Sequence, residues 1–264
     1  MKTRDYVIFG MGNIGRILAI RLRAVGVPAK QILFCDSDPA RAEAAAREFD
    51  ARAISLSDSA ACAADVILLA TPAKVIPGIL RQLAPTLTPN QVVVSFAAAL
   101  PLSRLEMLLP GVAIARVMPN APSLVGQGMN PVAYGAAMTP QAKEQVQFVL
   151  DSLGESVEVA DDLMNWCVGL SGAAMRSLIP ALEGMTEAGI EAGLNRVDAR
   201  QIAAQVMLGT AALVLKTDLP FEQIKALTPM QTVDDAALVR LFLDAARAAQ
   251  EKTKANEKKL LEMA

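Results

Sequence analysis

Apolar positions along the first 160 residues alternate between two periods. "DYVIFG" is a short, β-branched run of the kind that fills a buried strand. "MGNIGRILAIRLRAVG" follows, with Ile14, Ile17, Leu18 and Leu22 spaced for one face of a helix. The alternation then repeats. "QILFCD", "DVILLATP", "QVVVSFAAA" and "VAIARVMPN" predict strands, and "AKVIPGILRQLAP" and "PLSRLEMLLP" predict helices. "NPVAYG", "PQAKEQVQFVLDSLG" and "ESVEVA" add a strand, a helix and a last strand. Strands alternating with helices predict an α/β fold with a doubly wound, mostly parallel sheet and right-handed crossovers.

From residue 161 onward the period becomes helical. "DLMNWCVGL", "MRSLIPALEGMTEAGIEAGL", "RVDARQIAAQVMLGTAALVLKTD", "PFEQIKAL" and the final stretch from Thr232 predict an all-α domain over 161–264, after a first domain over 1–160. Asp198 is placed as the N-cap of the third of these helices. That helix is apolar on more than one face, at Ile202, Ala203, Val206, Met207, Ala211, Leu213 and Val214. A helix apolar all round must be buried, and one small helical domain cannot bury several of them. A domain-interlocked homodimer follows, with a larger ring left open. The terminal "EKTKANEKK" is expected to be a solvated, fraying end.

Composition narrows the partners. The 264 residues carry a net charge of −2 without long basic runs, which points away from nucleic acid and anionic membranes. Apolar residues reach 53% and mean hydropathy is +0.35, yet no uninterrupted apolar stretch has the roughly 18 residues of a membrane span. A cytoplasmic protein is expected, its apolar excess covered by a second copy. Cys35, Cys62 and Cys167 lie far apart, as core residues rather than a disulfide framework or metal cluster. The chain contains no histidine, so imidazole-based nucleophiles and metal sites are excluded and no metal is expected. Proton chemistry falls to Lys, Asp, Glu, Tyr, hydroxyls, water or the substrate.

The first predicted turn carries chemistry. Gly10-Met11-Gly12-Asn13-Ile14-Gly15 is GxGxxG between a strand and a helix. Gly10 serves the tight turn, Gly12 lets backbone approach a pyrophosphate, and Gly15 lets helix pack on strand. The helix N-terminus offers free N–H groups to phosphate. Asp36, with Ser37 beside it, ends the second strand 21 positions beyond Gly15. An acid there hydrogen-bonds a ribose 2′-hydroxyl and repels a 2′-phosphate, so NAD(H) is favoured over NADP(H). Asp38 serves as N-cap of the next helix, leaving Asp36 free for the ribose; Arg41 is the residue that would restore NADP(H). In parallel sheets the ligand lies beyond the carboxyl ends of the strands. Those ends are Gly10, Asp36, Ala70-Thr71-Pro72, Ala97-Ala98 and Met118-Pro119-Asn120, and the small Ala97 and Ala98 suit a flat ring against backbone.

Both halves together resemble the pyrroline-5-carboxylate reductase family, on "GMGNIG" at 10–15, "VSFAAAL" at 94–100, "RVMPNAPSLVGQGM" at 116–129, "LSG" at 170–172 and "EAGIEAGL" at 187–194. The resemblance implies a Rossmann domain joined to a helical dimerisation domain, and reduction of a cyclic imine to L-proline with NAD(P)H. It places Met118, Pro119 and Asn120 where nicotinamide meets substrate.

Two segments depart from the family pattern. After "LSG" the family usually continues Ser-Gly-Pro-Ala-Tyr, where this chain has Ala173-Ala174-Met175-Arg176-Ser177. The family's substrate loop is close to Ser-Pro-Gly-Gly-Thr-Thr, where this chain has Thr228-Pro229-Met230-Gln231-Thr232-Val233. Glycines would let backbone N–H groups crowd a carboxylate; Met230 and Gln231 fill that space, and the side chain of Val233 neither donates nor accepts. Both segments are expected to line one pocket. Two readings result: an imine reductase for another substrate, with Arg176 supplying a carboxylate contact, or a non-catalytic, regulatory paralogue. In the first, Thr232, then Thr228, Ser171 or water, holds the substrate nitrogen, and Gln231 and Val233 contact the substrate. The β-hydroxyacid dehydrogenases, another Rossmann-plus-helix class, use a lysine that is missing after "LSG".

Overall fold

The computed structural model describes residues 4–228 and 230–262, apart from the side chain of Leu261. They form two compact units: the chain up to Gly172 together with its end from Ala246 onward, and Ala173–Ala245.

The first unit is built on eight strands in the order β3-β2-β1-β4-β5-β6-β7-β8. The strands are β1 (Tyr6–Phe9), β2 (Ile32–Cys35), β3 (Arg52–Ala53), β4 (Val66–Leu69), β5 (Val92–Ser95), β6 (Ala113–Val117), β7 (Gly128–Tyr134) and β8 (Gly154–Glu158). Helices α1 (Asn13–Ala24), α2 (Pro39–Phe49), α3 (Ser59–Ala63), α4 (Ile76–Leu83), α5 (Leu102–Leu108), α6 (Pro140–Leu153) and α7 (Met164–Cys167) connect or follow them. Every pairing is parallel except β6 with β7. There the link is a 3₁₀ turn at Ala121–Val125, too short for a crossover helix, so the chain returns antiparallel.

The strands are apolar without alternation because both faces are covered. Tyr6, Ile8, Ile32, Phe34, Leu68 and Val94 face one core with Leu18 and Leu22 of α1 and Val146, Val149 and Leu150 of α6. Val7, Phe9, Leu33, Ile67, Leu69 and Val93 face the other with Ile76 and Leu80 of α4 and Leu105 of α5. Each fully buried Leu or Ile contributes about 1.5–3 kcal/mol. Cys35 and Cys167 are buried in the second core, and all three cysteines are free.

The second unit contains α8 (Ala174–Glu191), α9 (Arg196–Lys216), α10 (Phe221–Ala226) and the start of α11 (Asp235–Glu262). Helices α8 and α9 pair as a hairpin. Within one chain α9 buries only Ala199 and Ala203, while Val197, Ile202, Val206, Leu208 and Leu215 are exposed.

The first unit runs on to Gly172 because 161–172 wind back onto the sheet, where Met164 is fully buried. Two features differ from the sequence expectation. The N-cap of α9 is Asn195, whose Oδ1 accepts from the Asp198 N–H at 3.0 Å, and Asp198 lies inside the first turn. The polar end of the chain is largely exposed, as expected, but it does not fray: α11 runs to Glu262, Thr253 is buried, and Glu257 Oε2 accepts from Asn165 Nδ2 at 2.8 Å.

Candidate active site

The first strand ends at a turn that only glycine fits. Gly10 has φ +93°, and a Cβ there would lie 2.8 Å from the Ala70 carbonyl oxygen. Its N–H donates to the Cys35 carbonyl at 2.8 Å, so the ends of β1, β2 and β4 converge. A Cβ on Gly15 would lie 1.8 Å from the Gly10 carbonyl oxygen, which sets how closely α1 approaches the turn. Gly12, the N-cap of α1, faces open space, and no side chain caps that helix. The N–H groups of its first turn are thereby left to an anion.

Asp36 crosses from β2 to this turn. Met11 N–H donates to Asp36 Oδ2 at 2.7 Å, and Asp38 N–H donates to Oδ1 at 3.0 Å. The expectation of an unengaged Asp36 is corrected: its carboxylate is held by two backbone donors, because the turn after β2 folds back over it. Ionised, it has about four acceptor sites, so room for a ribose hydroxyl remains. Asp38 caps α2 through the Ala40 N–H at 3.1 Å and pairs with Arg41 at 3.5 Å.

A cavity of about 490 Å³ opens here, lined by Gly10, Gly12, Asp36, Ser37, Arg41, Leu56, Ala70, Thr71, Pro72, Lys74, Val75 and Ile79. Thr71 Oγ1 is buried without a partner. An open glycine backbone, an uncapped helix N-terminus, a fixed carboxylate and an unpaired hydroxyl fit a dinucleotide. Lys74 and the apolar Leu56, Val75 and Ile79 escaped the sequence reading; a lysine two positions past the "TP" that ends β4 was the available signal. Cys35 also lines the cavity, and burial and then the Asp36 charge push its thiol up to about 11.

Farther along the same sheet edge, Ala97 and Met118 are buried, and Ala98, Pro119 and Asn120 are half-buried. Asn120 is engaged at both ends of its amide: Oδ1 accepts from Met129 N–H at 3.1 Å, and Nδ2 donates to the Ser171 carbonyl at 3.4 Å. Ser171 lies in a π-helical turn, Val168–Ala173, a form often found at functional sites. Its hydroxyl donates to the Cys167 carbonyl at 2.8 Å. The fold therefore brings Asn120 and Ser171, 51 positions apart, to one place.

In the second unit, Arg176 is exposed on the first turn of α8. Between α10 and α11 a cavity of about 520 Å³ is lined by Glu222, Lys225, Thr228, Met230, Gln231, Thr232, Val233 and Asp235. Gln231 Nε2 donates to the Val233 carbonyl at 3.3 Å. Lys225 Nζ contacts Glu222 Oε1 at 3.1 Å and Asp235 Oδ2 at 3.2 Å, and the hydrogen bonds it donates to Glu222 and then Asp235 raise its pKa. The sequence reading missed Lys225 and Asp235, which belong to helical patterns flanking the loop. Within one chain, residues 173–177 are not among those lining this cavity. They open α8, and all of α8, α9 and α10 separates them from the loop along the chain.

Comparison with known proteins places this geometry. A family model described as "NADP oxidoreductase coenzyme F420-dependent" matches residues 5–99, and one described as "Pyrroline-5-carboxylate reductase dimerisation" matches 161–256. The pyrroline-5-carboxylate reductase of Pseudomonas aeruginosa is 30% identical over 241 residues, covering 90% of this chain and 88% of that one. The chain belongs to the pyrroline-5-carboxylate reductase family. The Synechocystis sp. pyrroline-5-carboxylate reductase is 31% identical over 83% of this chain and 82% of its own. Solved structures share the fold. The pyrroline-5-carboxylate reductase of Coxiella burnetii gives a TM-score of 0.81 at 22% identity, covering 96% of this chain and 98% of that one. The Plasmodium falciparum pyrroline carboxylate reductase with NADP bound gives 0.84 at 22%, covering 97% and 99%. Both segments that depart from the pyrroline-5-carboxylate reductase family pattern belong to the second unit, and the glycine turn and its cavity belong to the first.

Proposed function

We propose that the protein is an NAD(P)H-dependent reductase that delivers hydride to the C=N bond of a cyclic imino acid, pyrroline-5-carboxylate or a close relative. The observation that carries this reading is the glycine turn closed by Asp36 over an open cavity, in a chain of this family. Backbone N–H groups of 10–15 and the start of α1 would take the pyrophosphate, and Asp36, with Ser37 beside it, the ribose. Ala70, Thr71 and Pro72 form the far wall, and Ala97, Ala98, Met118 and Pro119 border the ring. A bound reduced nicotinamide supplies hydride from its C4.

The rest falls to the chain's own groups. A protonated imine carbon is already electrophilic, so a protein without histidine needs no strong acid at that carbon. Its work is orientation and exclusion of water, worth about 7–11 kcal/mol when geometry is right. Thr232, with Thr228, would accept a hydrogen bond from the substrate N–H. Ser171, its proton committed to the Cys167 carbonyl, retains acceptor capacity for the same role. Asn120 holds the Ser171 turn, and Arg176, Gln231 and Val233 would shape the substrate side.

NADH is the proposed partner in preference to NADPH, because Asp36 repels a 2′-phosphate; Arg41 and Lys74 in the same cavity are the opposing charges. Self-association is supported by the dimerisation match over 161–256 and by the exposed apolar face of α9. An interlocked dimer would fill the cavity of about 810 Å³ between α8 and α9, lined by Ile179, Leu182, Val197 and Ala204 among others. No helix among the described residues is long and apolar enough to cross a membrane. Three free cysteines suit a reducing, cytoplasmic setting.

The test is oxidation of NADH and of NADPH with pyrroline-5-carboxylate, then with five- and six-membered cyclic imines with and without a carboxylate. Turnover of one of them is expected. Tight NADH binding without turnover of any would favour a regulatory nucleotide-binding protein.

A further inference from the structure

The loop after β5 is held by an ion pair between a buried arginine and a half-buried aspartate. Arg116, on β6, is 1% exposed. Its Nη2 donates to the carbonyl of Ala98, and its Nη1 donates to Asp161 Oδ1 at 2.8 Å. The second oxygen of Asp161 accepts from the Leu102 N–H at 2.9 Å. One guanidinium–carboxylate pair therefore grips both ends of residues 98–102. Asp161 lies 45 positions beyond Arg116, in the stretch that winds back onto the sheet.

A further layer comes from the chain's end. Asn165 Oδ1 lies 3.5 Å from Arg116 Nη2, while its Nδ2 donates to Glu257 Oε2 at 2.8 Å. Glu257 thereby fixes which way the amide faces and turns its oxygen toward the guanidinium. The same end of α11 is seated tightly: Ala246 and Thr253 are buried, and a Cβ on Gly169 would meet the Ala246 carbonyl oxygen at 2.7 Å.

Stability alone is a poor reason for this arrangement. Burying the guanidinium costs desolvation that offsets much of its attraction to the half-buried Asp161, and Arg116 Nε is buried here without a partner. What the pair does is fix backbone. Ala97 and Ala98 stand at the carboxyl end of β5, where a parallel sheet presents backbone to its ligand.

We infer that Arg116, Asp161, Asn165 and Glu257 form a bracket through which the end of the last helix sets the backbone that borders the nicotinamide. Arg116 and Glu257 are positioning residues: Arg116 acts through the Ala98 carbonyl, and Glu257 through Asn165. The inference rests on the proposed nucleotide site.

Two readouts test it on the full-length protein: the dissociation constant of NADH by fluorescence titration, and amide hydrogen exchange of 97–102 without nucleotide. Arg116→Lys, which keeps the charge and loses the fork, is expected to weaken NADH binding about tenfold, the scale of one charged hydrogen bond. It should also speed exchange at 97–102. Glu257→Ala should do the same about threefold, and Glu257→Gln, which still accepts from Asn165, should restore both. Glu257→Ala is the safeguard should Arg116→Lys fail to fold. Wild-type exchange at 97–102 and an NADH affinity within about twofold in Glu257→Ala would overturn the bracket. Failure of the wild type to bind either reduced nucleotide would instead overturn the nucleotide site and, with it, the link from bracket to cofactor. Exchange in the variants then decides the bracket alone.

Discussion

The Met11 N–H donates to Asp36 Oδ2 at 2.7 Å, joining the glycine turn after β1 to the acid that ends β2. That contact fixes the carboxylate before any nucleotide arrives, so its interaction with a ribose carries little reorganisation cost. Asp36→Ala is expected to weaken NADH at least about tenfold and to leave NADPH unchanged or tighter. Fluorescence titration with both nucleotides measures this. An equal loss for both would remove Asp36 as the selector.

Gly12 and Gly15 separate binding from folding. Gly12 faces open space, so Gly12→Val should cost only the roughly 1 kcal/mol of a poorer N-cap while losing most nucleotide affinity. Gly15→Ala drives a Cβ into the Gly10 carbonyl and should cost about 1–3 kcal/mol, the usual scale of overpacking. Denaturant unfolding beside titration tells the two apart, and a Gly12→Val variant that still binds NADH normally would argue against phosphate at that turn.

Thr232 is the hydroxyl assigned to the substrate nitrogen. Thr232→Val preserves shape and deletes the acceptor. A fall of about tenfold or more in kcat/KM for the imine is expected, with NADH affinity unchanged. Should Thr228→Val show the larger loss, the two hydroxyls exchange roles.

Capping of α9 gives a stability check free of catalysis. Asn195→Ala removes the acceptor for the Asp198 N–H and should cost about 1 kcal/mol. Asp198→Ala, which removes a carboxylate inside the first turn, should cost less. Thermal melts of the two variants rank them, and the reverse order would return the cap to Asp198.

Cys35 predicts an alkaline weakness. Its thiol stays protonated in the fold until about pH 11, whereas a solvated thiol titrates near 9.0. Because the folded value is raised, this contribution is fully present below pH 9 and is lost as the pH rises from 9 through 11. The unfolded chain releases its proton first, so the slope is at most about 1.4 kcal/mol per pH unit for this group. Unfolding of wild type and Cys35→Ala across that range isolates it; parallel pH profiles would show that Cys35 does not couple to folding.

Most of the strand and helix order to residue 160, the GxGxxG turn, the Asp38 cap and the helical character of the second half were legible from local letters. Each is a matter of period, caps and turn residues within a dozen positions. The two-residue β3 (Arg52–Ala53) and the five-residue α3 (Ser59–Ala63) are too short to show a period and were not legible. The cap at Asn195 was misassigned by three residues because Asn and Asp both compete for that place, and only backbone geometry separates N-cap from first turn. The "EKTKANEKK" end looked solvated since its charges are real; what the letters do not carry is the seat waiting for Thr253 and Glu257.

The sequence alone determined the family, the α/β-then-helical arrangement and a dinucleotide turn, because these follow from short-range periodicity and from motifs whose backbone requirements are local. Tertiary structure alone decided that Asp36 is held by Met11 and Asp38, that Asn120 meets Ser171, and that Arg116 gathers Ala98, Asp161 and Asn165. Those contacts join residues up to 51 positions apart, or 92 when Asn165 and Glu257 are included. Long-range pairing of this kind is fixed by how buried polar groups find partners once the sheet has formed, and no local pattern encodes the choice.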